Sequence, residues 1–145
     1  MEHPQRNQRP AGRGYARRRM RTLFSVGLGG AIGSMARYAL GSFLGRRDGW
    51  EYWLATLTVN ATGALALGIL VGLFGEHFTG DPAVRTGLTV GLLGGYTTFS
   101  TWMVESVELI GDGRLGSGLA NIVLAVAVGL AAAIVGLAIG RALAI

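Results

Sequence analysis

Four long stretches almost free of charge leave this chain few choices of fold. Tyr52 to Phe74 runs 23 residues without a charged side chain, Thr86 to Val104 runs 19, and Leu115 to Gly140 runs 26. A further stretch, Thr22 to about Leu44, is interrupted only by Arg37. A helix needs about 20 residues to cross the hydrocarbon core of a bilayer. Each stretch is therefore expected to span, giving an all-α membrane protein with four helices over about 22–44, 52–74, 84–109 and 115–141. The connections are short, with Asp81-Pro82 as a helix start, and Trp50, Tyr52 and Trp53 cluster where an interfacial aromatic belt belongs. The expected location is the cell (inner or plasma) membrane, crossed several times.

Charged residues make up only 14% of the chain, against about 25% in a soluble domain. All 13 basic residues are arginine, and the net charge of +5 invites a nucleic-acid reading. Their distribution argues against it: seven precede Thr22 and six are scattered over the rest. Residues 1–19 are polar, basic and rich in Gly and Pro, and are expected to form a disordered tail ahead of a single domain over 20–145. Arg17-Arg18-Arg19 before an apolar run is similar to a signal-peptide n-region, but no A-x-A site follows, and Met20 is an alternative start. The absence of cysteine excludes disulfides, zinc-thiolate sites and thiol catalysis.

Within the third stretch, Gly94-Gly95-Tyr96-Thr97-Thr98-Phe99-Ser100-Thr101-Trp102 stands where a plain membrane helix would carry Leu and Val. Two adjacent glycines allow the backbone to leave helical geometry, so the third helix is expected to break at Gly94-Gly95. Phe99 and Trp102 are three residues apart and share one face if the helix resumes. A broken helix in lipid persists only where the freed backbone is buried in protein or lines a watery path, so the stretch points to an ion or solute site.

Small residues recur at four-residue spacing at Gly29/Gly33, Gly41/Gly45, Gly87/Gly91, Gly91/Gly95 and Gly136/Gly140, which suits close helix packing in lipid. Gly27 to Gly33 also resembles a dinucleotide fingerprint, with Asp48 as the acid, but nothing supplies the sheet that motif requires. Arg37 fits two readings, snorkelling to the interface or a positive group in an anion-attracting vestibule. Asn60 is the one amide of the second stretch and fits either an interhelical hydrogen bond or a donor facing an anion. Asn121 has the same chemistry and a weaker claim. Glu105 and Glu108 are expected in solvent at a helix end, and His77 lies in a loop without metal-ligating company. No P-loop, Ser/His/Asp arrangement or paired carboxylate at membrane depth gives enzymatic chemistry a foothold.

Three motifs converge: Gly29-Gly30-Ala31-Ile32-Gly33-Ser34-Met35-Ala36-Arg37-Tyr38, Thr58-Val59-Asn60-Ala61-Thr62-Gly63, and Gly94 to Thr101. Together they resemble the CrcB/Fluc family of fluoride channels, over Met20 to the C-terminus. That resemblance implies a fluoride-selective channel that exports cytoplasmic fluoride, built as an antiparallel, dual-topology dimer with two anion pores. It implies Asn60 and Phe99 as pore residues serving passage rather than folding, Ser100 and Thr101 as a polar track, and Arg37 at the vestibule. It further implies a structural sodium ion held by the backbone carbonyls of Gly94 and Thr97. The family's second pore phenylalanine is Trp102 here. Its indole either narrows the path, offers its N–H to the anion, or turns toward lipid or a neighbouring helix.

The rival readings are a small four-helix drug or cation exporter, which would need a proton-coupling carboxylate within a helix, and a non-conducting assembly subunit. From Met20 onward, Arg21, Arg85 and Arg141 on one side balance Arg46, Arg47 and Arg114 on the other, so charge sets no orientation and a homodimer of opposed copies is permitted. The arginines of the tail, if present, favour a cytoplasmic N-terminus and a paralogous partner of opposite orientation.

Overall fold

The computed structural model describes residues 11–46, 51–75 and 80–144. They form helices, with no strand among the described residues, so the dinucleotide reading has no sheet to rest on. Helix α1 spans Ala11–Gly45 and α2 spans Tyr52–Phe74. The third membrane-length unit is composite: α3 (Pro82–Thr86), a π-helical segment (Gly87–Leu93), α4 (Gly94–Tyr96) and, after two non-helical residues, α5 (Phe99–Gly111). Helix α6 spans Leu115–Leu143. Of these, α2 and α6 are long and apolar enough to cross a membrane.

The bounds of α2 coincide with the charge-free stretch, and α6 extends two residues beyond the expected Arg141. Helix α1 starts well before Thr22, so residues 11–19, expected in a disordered tail, are helical. Once α1 has nucleated, adding Ala and Arg, both good helix formers, is easy. Residues 1–10 lie outside the described residues, as do Trp50 of the expected aromatic belt, Arg47, Asp48 and His77. At the start of the third unit, Asp81 caps α3 by accepting from the Ala83 N–H at 2.9 Å, and Pro82 follows at the first helical position. Arg21 of α1 pairs with Asp81, tying the two elements at this end.

Packing is built on glycine. Helix α1 lies along the third unit and α2 along α6, with α5 completing the contact to α6. At Gly33 an added Cβ would stand 2.0 Å from the Leu92 carbonyl oxygen, and at Gly29 it would stand 2.4 Å from that of Gly87. Gly91 and Gly95 press on the backbone of Val26 and Gly30 in return. On the other side, a Cβ at Gly136 would stand 2.2 Å from Leu65 O and one at Gly140 2.2 Å from Ile69 O. Gly68 and Gly72 of α2 make the reciprocal approach. Gly41 and Gly45 share the four-residue spacing but face open space.

Large apolar side chains point outward instead of into a core. Phe24 is 73% exposed, Ile134 67% and Leu130 61%, while Leu109 and Val59 are among the few large buried ones. Such a surface is what lipid solvates, and backbone-to-backbone glycine contact is how helices associate where lipid removes the hydrophobic drive between them.

The expected break at Gly94-Gly95 falls instead at Thr97 and Thr98. Gly94 is helical (φ −66°, ψ −35°), whereas Thr97 (φ −79°, ψ 157°) and Thr98 (φ −146°, ψ 118°) are extended. The glycine pair serves close approach, since a Cβ at Gly95 would stand 2.6 Å from Gly30 O. The break follows from side-chain competition with the helical ladder, described next.

Candidate ion pathway

Asn60, on α2, grips the interruption from both sides. Its Oδ1 accepts from the Thr98 N–H at 2.8 Å, and its Nδ2 donates to the Thr98 carbonyl at 2.9 Å. An amide side chain thus stands in for a neighbouring peptide and satisfies both backbone groups of one residue, which in lipid have no water to turn to. Thr98 then starts α5: its hydroxyl oxygen accepts from the Thr101 N–H at 3.3 Å and its hydroxyl donates to Thr101 Oγ1 at 2.9 Å. This is N-capping by threonine in the middle of a membrane unit. Gly63, one helical turn beyond Asn60, leaves room for the Thr97 methyl, which an added Cβ would meet at 2.3 Å.

The break takes carbonyls out of the helical ladder, those of Gly94 and Thr97 among them. The N–H four residues after Gly94 belongs to Thr98 and goes to Asn60, and the N–H four residues after Thr97 belongs to Thr101 and goes to Thr98 Oγ1. The carbonyls of Gly94 and Thr97 therefore stand outside the helical ladder. The Thr97 hydroxyl is turned back to Leu93 O at 2.9 Å.

Asn60, Thr97, Thr98, Phe99 and Trp102 line one cavity of about 340 Å3, whose far wall is Ala125 and Gly129 of α6. Phe99 and Trp102 share a helix face as expected, but edge to face, with centroids 5.5 Å apart and planes at 81°. Phe99 is 70% exposed. Thr101 belongs to a second cavity of about 510 Å3, which it shares with Arg37, Ser34, Ser42, Thr56 and Thr98. Arg37 thus lines a cavity beside hydroxyl groups. Thr98, a hydroxyl of the central stretch not assigned to the pore from the sequence, borders both cavities. Ser100 is exposed, its hydroxyl 3.5 Å from Thr98 Oγ1, and lines neither cavity.

Hydrogen-bond partners remote in sequence place three of these side chains. The amide of Asn60 was expected to serve passage rather than folding, yet two of its hydrogen bonds hold the backbone of the break. The indole N–H of Trp102 donates to the Asn121 carbonyl of α6 at 3.2 Å, so it is directed at a helix and not at the cavity. Glu105, expected in solvent, turns inward because Thr56 donates to its Oε1 at 2.7 Å, while Oε2 is buried with no hydrogen-bond partner among the described residues. A sequence signal for the Glu105 contact is absent, because Thr56 and Glu105 are 49 positions apart.

The chain is 39% identical over 124 residues to the fluoride-specific ion channel FluC of Rhizobium meliloti (strain 1021), covering 86% of this chain and 99% of that one. It is 45% identical over 114 residues to fluoride-specific ion channel FluC 2 of Symbiobacterium thermophilum (strain DSM 24528 / JCM 14929 / IAM 14863 / T), covering 79% and 93%. It is 40% identical over 121 residues to FluC 1 of Nitrobacter hamburgensis (strain DSM 10229 / NCIMB 13809 / X14), covering 83% and 96%. Residues 24–137, which include every candidate position above, match the family described as CrcB-like protein, Camphor Resistance (CrcB), and the chain belongs to that family.

Proposed function

We propose that this chain is a subunit of a fluoride-selective channel of the cell membrane, and that fluoride passes beside Asn60 and Phe99. The observation that carries the proposal is the cavity these residues share, in a chain whose relatives over most of its length are named fluoride-specific ion channels. Fluoride is small and strongly hydrated, so a pore must replace its water with donors. Asn60 Nδ2 has a second N–H beyond the one given to Thr98, and the positive ring edges of Phe99 and Trp102 add to it. Arg37 and the hydroxyls of Ser34, Ser42, Thr56 and Thr101 form an approach of matching sign and polarity. No carboxylate lines the cavity at Phe99.

The second subunit is an antiparallel copy, and the freed carbonyls of Gly94 and Thr97 would hold a sodium ion with their counterparts in it. A monovalent hard cation suits oxygen dipoles released from a helix. If so, exchanging sodium for N-methylglucamine lowers the melting temperature of the detergent-solubilised dimer, and returning sodium restores it. An unchanged melt in both media would remove sodium from the account.

Half-buried Glu105 is the one observation that favours a proton-coupled four-helix exporter. The two readings separate in liposomes. A channel releases fluoride at a rate indifferent to an imposed proton gradient, whereas an exporter follows the gradient. Phe99→Ile is expected to abolish release while the protein still elutes as a dimer, and near-normal release from Phe99→Ile would remove this residue from the path. Trp102→Phe is expected to conduct at least as fast as the parent and Trp102→Ala well below both. Parental rates in Trp102→Ala would mean that Trp102 does not line the pore.

A further inference from the structure

Arginine gathers at one end of the helix bundle. Helix α1 begins there, α2 ends there at Phe74, the third unit starts there at Pro82, and α6 ends there, its Arg141 backbone against Gly72. Arg17, Arg18, Arg19, Arg21, Arg85 and Arg141 meet one carboxylate, Asp81, among the described residues of this end. At the opposite end Arg46 and Arg114 meet Glu51, Glu108 and Asp112. Arg17, Arg18 and Arg19 form no ion pair among the described residues. Because these residues continue α1 as helix, their depth is set. At about 1.5 Å per residue, Arg17 to Arg21 stand about 1.5–7.5 Å beyond Thr22, where the charge-free stretch begins. The headgroup layer of one leaflet is about 5–7 Å thick, so these arginines stand at the depth of lipid phosphates.

At this end a cavity of about 390 Å3 opens between α1 and the start of the third unit, lined by Arg18, Arg21 and Thr22 and by residues 80–83. Its one carboxylate is occupied within the protein: Asp81 Oδ2 accepts from Arg21, and Oδ1 accepts from the Ala83 N–H at 2.9 Å. Arg18 has no carboxylate partner among the described residues, and Arg21 keeps further N–H groups on a side chain that is 64% exposed. We propose that this cavity seats the phosphate of an anionic phospholipid between Arg18 and Arg21, its acyl chains joining the lipid around the bundle. Planar guanidinium groups suit phosphate oxygens, which take paired N–H donors. The depth of the site favours a phosphate carried by a lipid over a free one, because the bilayer holds lipid phosphates at this level. Charge selects the lipid class: where arginines so outnumber carboxylates, a headgroup without a cationic amine binds more tightly. The site requires that the chain span a membrane and is independent of which ion passes.

The test titrates the purified full chain, in a nonionic detergent, with dioleoylphosphatidylglycerol or dioleoylphosphatidylcholine, and native mass spectrometry counts the bound lipid. The parent is expected to hold phosphatidylglycerol more tightly by about tenfold or more. Arg18→Gln should lower that affinity by about fivefold, the scale of one arginine at a membrane surface. Arg19→Gln removes the same charge at nearly the same depth but outside the cavity, and should lower it by less than about twofold. Both side chains are exposed, so the lipid-free melting temperatures of the two variants should match the parent's. sn-Glycerol 3-phosphate, equal in concentration to the lipid, should leave the phosphatidylglycerol adducts in place. Equal losses in the two variants would reveal a diffuse attraction to charge and overturn the site, as would a parent that holds both lipids alike. Displacement of the adducts by sn-glycerol 3-phosphate would overturn the lipid as the source of the phosphate. Each readout is taken without fluoride, so a parent that passes none overturns the channel reading and leaves the lipid site to these measurements.

Discussion

Asn60→Ala is expected to stop fluoride efflux and to destabilise the protein at once. The substitution strands the Thr98 N–H and takes one of its donors from the Thr98 C=O, which as the N-cap carbonyl still opens the ladder of α5; a buried backbone group without a partner costs about 1–3 kcal/mol, and a loss of about that size is expected. About 1.4 kcal/mol of it, applied to the conducting geometry, slows passage by about tenfold. Asn60→Asp separates the two roles. It keeps an acceptor for the Thr98 N–H, but sets a carboxylate oxygen against the Thr98 carbonyl and a negative charge beside the anion path. Efflux should fall at least as far as in Asn60→Ala, with a different melting temperature. Efflux and melting temperature both at parental values in Asn60→Ala would show that Asn60 neither holds the break nor faces the ion.

The second large effect is expected at Gly33→Ala. One methyl group there stands 2.0 Å from Leu92 O and 2.8 Å from Tyr96 N, both backbone atoms that cannot turn aside. Helix α1 must withdraw from the third unit, and overpacking of this kind costs about 3 kcal/mol or more. Withdrawal also moves Ser34, Arg37 and Ser42 away from Thr98 and Thr101 across the second cavity. Gly136→Ala, at 2.2 Å from Leu65 O, should do the same to the pairing of α2 with α6. Gly41→Ala is the control: nothing lies within 4 Å, and Ala is the better helix former by about 1 kcal/mol, so its melting temperature should hold or rise. Gel filtration and thermal melts in detergent check all three. A Gly33→Ala melt that matches the parent's would contradict the close approach of α1.

How much was legible from residues alone differs by element. Helix α2 was, because its charge-free run ends at Glu51 and Gly75 with nothing to extend it. The glycine faces were legible only in part, since spacing cannot tell Gly33, pressed on Leu92, from Gly41, which touches nothing. The break was legible as an event and misplaced as a position. Two glycines permit a bend, but its location was decided by Asn60, 38 positions away, taking the Thr98 peptide. Glu105 was misjudged for the same reason: a partner remote in sequence, Thr56, decides whether its side chain faces solvent or turns inward. Phe99 and Trp102 were read correctly as one face, because helical spacing is local.

The central claim, that this chain passes fluoride and selects it, is tested most directly by ion release from liposomes containing the purified protein as their sole channel. Vesicles loaded with potassium fluoride or with potassium chloride are triggered by a potassium ionophore, and released anion is followed with ion-selective electrodes. The account predicts rapid fluoride release to completion and chloride release no faster than from protein-free vesicles. Fluoride release at the protein-free rate, or chloride release as fast as fluoride, would contradict it.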